Sequence, residues 1–324
     1  VTGASSGIGQ AVAETLARPG ATLILAARNA EALESVATRC REAGAQVTVV
    51  PTDVTDADAV RKLAAQARLA AGTIDMWVSN AGVGAVGRFQ DVPIAAHEQV
   101  VRTNLMGHMH DAHAVLPIFL EQEFGTFVNV ISVGGFCAAP YAAAYSASKF
   151  GLRGFPKRFG ESSPRTPTSI SAMSIPALWT HRALPTARIT PAAACRPRPP
   201  LLDARRVAVA IVALLAHPRD TVMVGSGAWG GRLAHMLAPA TTARIMNHVL
   251  TRYFATAHKA AITDGNLFAP ATREGQIDGG LRSWPQGRHS RQTLAMMTIL
   301  TALGLIAFFR RKAPTRRNPP DPAA

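Results

Sequence analysis

Tyr145 and Lys149 stand four residues apart in Tyr145-Ser146-Ala147-Ser148-Lys149, a spacing that puts a phenol and an ammonium on one face of a helix. With a reference pKa of about 10, tyrosine is a poor acid near neutrality. A fixed cation beside it favours the phenolate, and the pair then becomes a proton donor and acceptor for a carbinol or carbonyl. Ser132 lies thirteen residues upstream, at the end of the apolar, strand-like run Phe127-Val128-Asn129-Val130-Ile131, within reach of the same oxygen. A Tyr/Lys pair at this spacing is more often a solvated helix face, so its meaning depends on the elements that position it.

Those elements begin at residue 1. Val1-Thr2-Gly3-Ala4-Ser5-Ser6-Gly7-Ile8-Gly9 leads into a helical pattern from Ala11 to Ala17. Glycines at a helix N-terminus let the backbone approach a pyrophosphate, and the free amides and dipole favour the anion; alternatively the stretch is only a turn. An apolar strand over Thr22–Ala27, a helix over Ala30–Ala43, a strand over Gln46–Val50 and a strand over Ile74–Val78 follow. Strands alternating with helices predict an α/β fold with a doubly wound, Rossmann-like parallel sheet.

The sheet's carboxyl ends carry polar groups, where ligands bind in such folds. Arg28 follows the second strand with no carboxylate at residues 26 to 28, which favours a ribose 2′-phosphate, hence NADP(H) over NAD(H); a solvated loop Arg is the alternative. Asp53 either accepts from an adenine amine or caps a helix over residues 56 to 70. Ser79-Asn80-Ala81-Gly82 ends another strand, and Asn104, a poor helix former, sits inside a helix where a polar role is expected. His97, His108, His110 and His113 read as helix-surface or core histidines, with no carboxylate or Cys to complete a metal site.

Together these stretches resemble the short-chain dehydrogenase/reductase family. Residues 2 to 9 match its TGxxxGxG turn, Asp53 its adenine contact, and Asn80, Ala81 and Gly82 its NAG motif; Asn104, Ser132, Tyr145 and Lys149 match its catalytic tetrad in order and approximate spacing. The resemblance covers residues 1 to about 155 firmly and 200 to 258 loosely. It implies hydride transfer at the nicotinamide of NADP(H), interconverting an alcohol and a carbonyl. Tyr145 would exchange the substrate proton and Ser132 would orient the substrate oxygen. Lys149 would hold the nicotinamide ribose and lower the Tyr145 pKa, and Asn104 would position a water that relays protons through Lys149. Gly3, Ser5, Ser6, Gly7, Ile8, Gly9, Arg28, Asp53, Asn80, Ala81, Gly82, Tyr145 and Lys149 would line the cofactor site, with no metal. Relatives commonly form homodimers through two long helices.

The pattern breaks after Phe155. Pro156, Pro164 and Pro167 interrupt the expected helix, and the stretch to Pro199 reads as a loop where the family runs helix, strand and a Pro-Gly turn. Two readings stand: a reading-frame error between about Pro156 and Pro199, because a shifted frame can be translated as a helix, a strand and a PGLVDTPG turn, or a divergent insertion. Beyond it, Asp203 reads as the N-cap of a helix over Ala204–Ala216, Thr221–Gly225 as a last strand, and Ala228–Leu237 and Thr241–Ala257 as amphipathic helices, either a lid or a cover.

One catalytic domain over 1–258 is therefore expected, with 156–199 anomalous. Residues 259–292 lose periodicity as a linker does. Residues 293–309 give seventeen uncharged, mostly apolar positions, followed by a basic tail over 310–324 that opens with Arg310-Arg311-Lys312. Seventeen is the lower limit for a membrane-anchor helix, a buried helix being the alternative. The net charge of +14 is concentrated in residues 156–199 and at the C-terminus, without an aromatic-studded stripe, which argues against nucleic acid. Three scattered cysteines form no framework and suit a reducing compartment. With no signal peptide visible, a membrane-associated enzyme facing the cytoplasm is expected; the chain opens with Val1 inside a strand, so its natural start is expected upstream.

An apolar substrate is expected from Phe136, Ala138, Ala139, Pro140 and Tyr141 near the pocket. The alternative is a non-catalytic dinucleotide-binding module tethered to a membrane. The two readings of 156–199 separate on the gene: a frame error requires an open, amphipathic translation in one other frame, whereas stops or polar nonsense in both others leave the insertion.

Overall fold

The computed structural model describes residues 1–155, 169–174, 188–189, 203–256, 263–270 and 276–277. Its main sheet is parallel throughout. Strands β1 (Thr22–Ala27) and β2 (Gln46–Pro51) pair in register from Thr22 opposite Gln46. Strand β3 (Met76–Ser79) begins the other half; the two-residue β4 (Ala85–Val86) lies off to the side, and β5 (Thr126–Asn129) pairs with β3. Strand β6 (Ser169–Ser174) lies between β5 and the later strand at Thr221–Val224; the short β7 (Arg188–Ile189) pairs with β4, so Thr221–Val224 is β8.

Val1 to Ala4 join the halves. Thr2 bridges to Ala26 and its amide donates to the Val78 carbonyl at 2.9 Å, while across the same seam the Ala4 amide donates to the Ala26 carbonyl and the Ala26 amide to the Val1 carbonyl. The order across the domain is thus β2, β1, residues 1–4, β3, β5, β6, β8, and the carboxyl ends of all of them lie along one edge.

Helices cover both faces. Helix α1 (Gly7–Leu16) packs on α7 (Ala204–Val212), burying Ile8, Ala11 and Val12 with Val207, Ala208 and Ile211 over Val78 and Val128. Helix α2 (Ala30–Glu42) is capped by the Asn29 side chain, which accepts from the Ala32 amide at 2.9 Å. Helix α3 (Ala57–Ala71) packs on α5 (Gly107–Gln122), with Leu63, Ala112 and Phe119 closing over Trp77 and Phe127. Helix α4 (Ile94–Val101) leads into α5 through a π-helical turn at Arg102–Met106, and α6 (Ala143–Gly154) follows. Helices α8 (Ser226–Leu237) and α9 (Pro239–Thr256) complete the described helices.

Several expectations change. Residues 169–174 form a strand inside the sheet, second from its β8 edge, not a loop; Ser169-Ile170-Ser171-Ala172 has the alternation of a strand, which the surrounding prolines conceal. Asp53 does not cap α3. Asp56 does, accepting from the Asp58 and Ala59 amides, while Asp53 Oδ1 closes a local turn with the Thr55 amide and hydroxyl at 2.9 and 2.8 Å. Asp203 does cap α7, accepting from the Arg205 amide at 3.0 Å. Residues 263–270 and 276–277, inside the expected linker, lie against the domain, with Leu267 fully buried. Loss of periodicity marked them as linker, yet one leucine suffices to anchor a loop. Among the described residues no helix is long and apolar enough to cross a membrane; the expected anchor at 293–309 lies outside them.

The glycine turn meets the end of β3 without room for side chains. Gly3 adopts φ +65°, and a Cβ there would meet the Ala81 Cα at 2.9 Å; a Cβ on Gly9 would lie 2.2 Å from the Gly3 carbonyl oxygen and 2.7 Å from Asn80 Nδ2. Gly9→Ala must therefore push α1 away from the sheet. The expected loss of stability is about 1–3 kcal/mol, read as a lower urea midpoint with unchanged slope.

Candidate active site

Four loops converge at the sheet's carboxyl edge. The residues after β3 are held from two sides. Asn80 donates its amide to Thr2 Oγ1 at 3.1 Å and its side-chain nitrogen to the Thr2 and Gly3 carbonyls, which ties the strand end to the glycine turn. Beneath them Asp111 Oδ2 accepts from Ser79 Oγ at 2.6 Å and Thr2 Oγ1 at 3.0 Å. Burial pushes the Asp111 carboxyl up to about 6, against the lowering effect of these two hydroxyls.

Asn104 explains its place in a helix. It sits in the π-helical turn, fully buried, with Oδ1 accepting from the Val83 amide at 2.8 Å and Nδ2 donating to the Val83 carbonyl at 2.9 Å. Such turns often mark functional positions. A third, longer bond runs to Ser148 Oγ at 3.4 Å. The amide thus clamps the strand-end loop onto α6, and its side chain is already committed.

Tyr145 and Lys149 share the inner face of α6. The Lys149 ammonium lies 5.9 Å from the Tyr145 ring centroid and donates to the Val130 carbonyl at 3.2 Å. A Cβ on Gly82 would find Asn104 Oδ1 at 3.4 Å and Lys149 Nζ at 3.9 Å, so the amine stands beside the Asn80–Gly82 edge. Ser132 caps a short turn at Val133–Gly135 by accepting from the Gly134 amide at 3.2 Å, and its hydroxyl is near enough to Tyr145 to lower the phenol's pKa. The four residues read as a tetrad are therefore brought together, alongside the glycine turn.

Electrostatics differ from expectation in one respect. Burial raises the Tyr145 phenol above its ordinary value and outweighs the lowering effect of Ser132, so the proximity of Lys149 does not produce an acidic tyrosine in this state. The same burial lowers Lys149 to about 8. Sequence spacing shows that two groups share a face, but not how much water they lose there. His108, one turn beyond Asn104, lies between Asn129 Oδ1 at 2.5 Å and the Ala81 carbonyl at 2.9 Å; burial, then the Lys149 charge, hold it down to about 3, and a neutral imidazole donates to only one of these oxygens.

Two further residues shape the site without a signal in their type. Gly134 supports the Tyr145 ring, since a Cβ there would meet Cε1 at 3.0 Å; Gly135 lies against the Lys149 backbone, with a Cβ 2.6 Å from its carbonyl oxygen. Phe136, expected near the pocket, instead packs inward with Ile131 and Leu152 and carries Arg153 over its ring at 4.2 Å. Ala138, Ala139, Pro140 and Tyr141 line a groove of about 730 Å³ between α6 and α9, on the flank of α6 turned away from Lys149. Tyr141 is fixed there by a 2.7 Å hydrogen bond to Thr251, which makes α9 a cover for this groove.

A dinucleotide fits the donors on this edge. Ser6 precedes α1 without a side-chain capping bond, so the first-turn amides lack a side-chain partner, and Gly3 and Gly9 leave the backbone open to close approach. The Gly7 amide donates to the Gln276 carbonyl at 3.2 Å. At the other end, the Arg28 guanidinium donates to the carbonyls of Asn266, Leu267 (3.3 Å) and Ala269 (3.5 Å), an arrangement neither of the two sequence readings anticipated. Among the described residues no group of three His, Cys, Asp or Glu side chains could hold a metal ion.

The lowered Lys149 pKa sets a pH dependence. Between about 8 and 10.5 the unfolded chain binds more protons than the folded one, so stability rises with pH across that window and levels off above it. Lys149→Met is expected to remove that rise and to stabilise the fold near pH 7 by up to ~3 kcal/mol. Urea midpoints of both proteins at pH 7 and above 10 measure this.

Residues 1–181 match the family model for short chain dehydrogenases. An uncharacterised oxidoreductase of Staphylococcus aureus (strain USA300) is 33% identical over 174 residues, 54% of this chain and 74% of that protein. Human dehydrogenase/reductase SDR family member 7 is 35% identical over 159 residues, covering 48% of this chain and 47% of its own. Among solved structures, a metagenomic short-chain oxidoreductase in complex with NADP superposes with a TM-score of 0.58 at 26% identity, covering 69% of this chain and 94% of that one. An alcohol dehydrogenase from the archaeon Thermococcus sibiricus, complexed with 5-hydroxy-NADP, gives 0.59 at 25% identity over the same shares. With the family model matching more than half its length, this chain belongs to the short-chain dehydrogenase/reductase family of oxidoreductases.

Proposed function

We propose that the protein is an NADP(H)-dependent carbonyl reductase acting on an apolar ketone or aldehyde. The observation that carries this reading is the convergence of Tyr145, Lys149, Ser132 and Asn104 beside the glycine turn. NADPH, when bound, supplies a hydride to the carbonyl carbon. The remaining work belongs to side chains of this chain. Tyr145 donates its phenolic proton to the carbonyl oxygen, and Ser132 holds that oxygen in place. Near neutrality the phenol is protonated, the form that donates in reduction, and burial reinforces that form. Lys149 supplies positive charge beside the phenol as it loses its proton and a donor for a ribose hydroxyl. Asn104 acts as a positioning residue through Val83.

The choice of NADP(H) rests on Arg28 at the end of β1, and is supported by two structural relatives bound to NADP or 5-hydroxy-NADP. The apolar cluster of Val83, Val92, Ala96 and Val100 against Tyr145 supports an apolar substrate. The apolar run at 293–309 supports anchoring to a membrane, and use of NADP(H) suits a catalytic domain on the cytoplasmic side. Pairing of two copies through α5 and α6 would follow the habit of the family.

Steady-state NADPH oxidation with a panel of aliphatic, steroid and retinoid carbonyls tests the reading. Turnover is expected with at least one apolar class, faster with NADPH than NADH. Tyr145→Phe is expected to lower kcat about 10²–10⁴-fold while leaving the NADPH dissociation constant within about twofold of wild type. Tight NADPH binding without turnover across the panel would instead leave a binding module.

A further inference from the structure

Two donors that a dinucleotide would use, the Arg28 guanidinium and the Gly7 amide, are already engaged by the chain itself. Leu267 has no exposed surface. It fills the cluster of Val83, Ala85, Val92, Ala96 and Val100, against which Ala144 and Tyr145 also pack. Its carbonyl accepts from Arg28 Nη1 and from Gln99 Nε2, both at 3.3 Å. The carbonyls of Asn266 and Ala269 take the other guanidinium nitrogen. A tight turn orients them: Gly265 has φ +55° and the Leu267 amide returns to the Asp264 carbonyl at 3.0 Å. Ten residues further on, Gln276 sets its carbonyl on the Gly7 amide at the start of α1, and Ile277 is buried with Ile8, Ala11 and Val12.

The backbone from 264 to 270 and at 276 to 277 thus presents carbonyl oxygens to a guanidinium at one end of the cleft and a helix amide at the other, and Leu267 pins it in the apolar cluster. Under the NADP(H) reading above, these two ends are the positions of the 2′-phosphate and the pyrophosphate. We propose that this C-terminal strap is an intramolecular stand-in for the dinucleotide, and that cofactor binds only by expelling it. A carbonyl is a neutral acceptor, whereas phosphate oxygens form charge-assisted hydrogen bonds about twice as strong. The strap therefore weakens cofactor binding without abolishing it: the apparent dissociation constant is the intrinsic one divided by the fraction of molecules with the strap open.

The proposal rests on the NADP(H) reading, and its test separates the two. NADPH is titrated by fluorescence into the full chain and into Leu267→Asp, whose carboxylate cannot stay in the apolar cluster. If the strap is closed nine-tenths of the time or more, the variant binds NADPH about tenfold more tightly or better. Hydrogen exchange on the wild-type chain gives a readout independent of any variant: amides of residues 264–270 are expected to exchange faster with saturating NADPH. Equal or weaker binding by a folded variant overturns the strap, as does slower or unchanged exchange at 264–270, which would make it a lid completing the site. Absence of NADPH binding by both proteins at millimolar concentration overturns the NADP(H) reading and the strap together.

Discussion

A backbone contact with no space for side chains organises this protein. The glycine turn lies against the end of β3 so closely that Gly3 and Gly9 admit no Cβ, and Asn80 stitches the two together through the Thr2 and Gly3 carbonyls. That contact fixes the N-terminus of α1 against the residues Asn80 to Gly82, and Gly82 in turn stands next to Asn104 and Lys149. Where phosphate would sit and where a proton would move are thereby set by one junction. The two halves of the sheet depend on it as well, since residues 1–4 are the strip through which β1 and β3 communicate.

Around that junction the protein keeps ionisable groups away from water. Lys149, His108 and Asp111 are each displaced toward their neutral forms, chiefly by burial. Tyr145 is displaced the same way. A site in which every group resists charge responds strongly to any charge that arrives, because the low local dielectric magnifies it.

Much of this was legible in the chain. The alternation of strand and helix, the glycine turn, the Tyr/Lys spacing and the Asp203 cap all emerge because each depends on neighbours in sequence. What escaped depends on contacts between distant residues. Asp53 was the cap candidate on paper, and the chain geometry chooses Asp56. Strand β6 was hidden because proline density outweighed a four-residue alternation whose partners, β5 and β8, lie far along the chain. Gly134 and Gly135 carried no signal, since a glycine's use is visible only once the Tyr145 ring and the Lys149 carbonyl are beside it. Arg28 was identified by its place after a strand, while the carbonyls it holds come from more than 230 residues away.

The π-helical turn at Arg102–Met106 has a consequence for how the long helical rod from Ile94 to Gln122 can vary. A π turn holds one residue more than an α turn, and each helical residue advances the rod by about 100°. Deleting a single residue there would restore regular winding, at the expense of rotating everything downstream by roughly that angle. His108, Asp111, Val115 and Phe119 would swing out of the interior together, and Asn104 would lose Val83. The irregularity is therefore a phase adjuster between two halves of one rod, and its length is less free to change than the identity of its exposed residues.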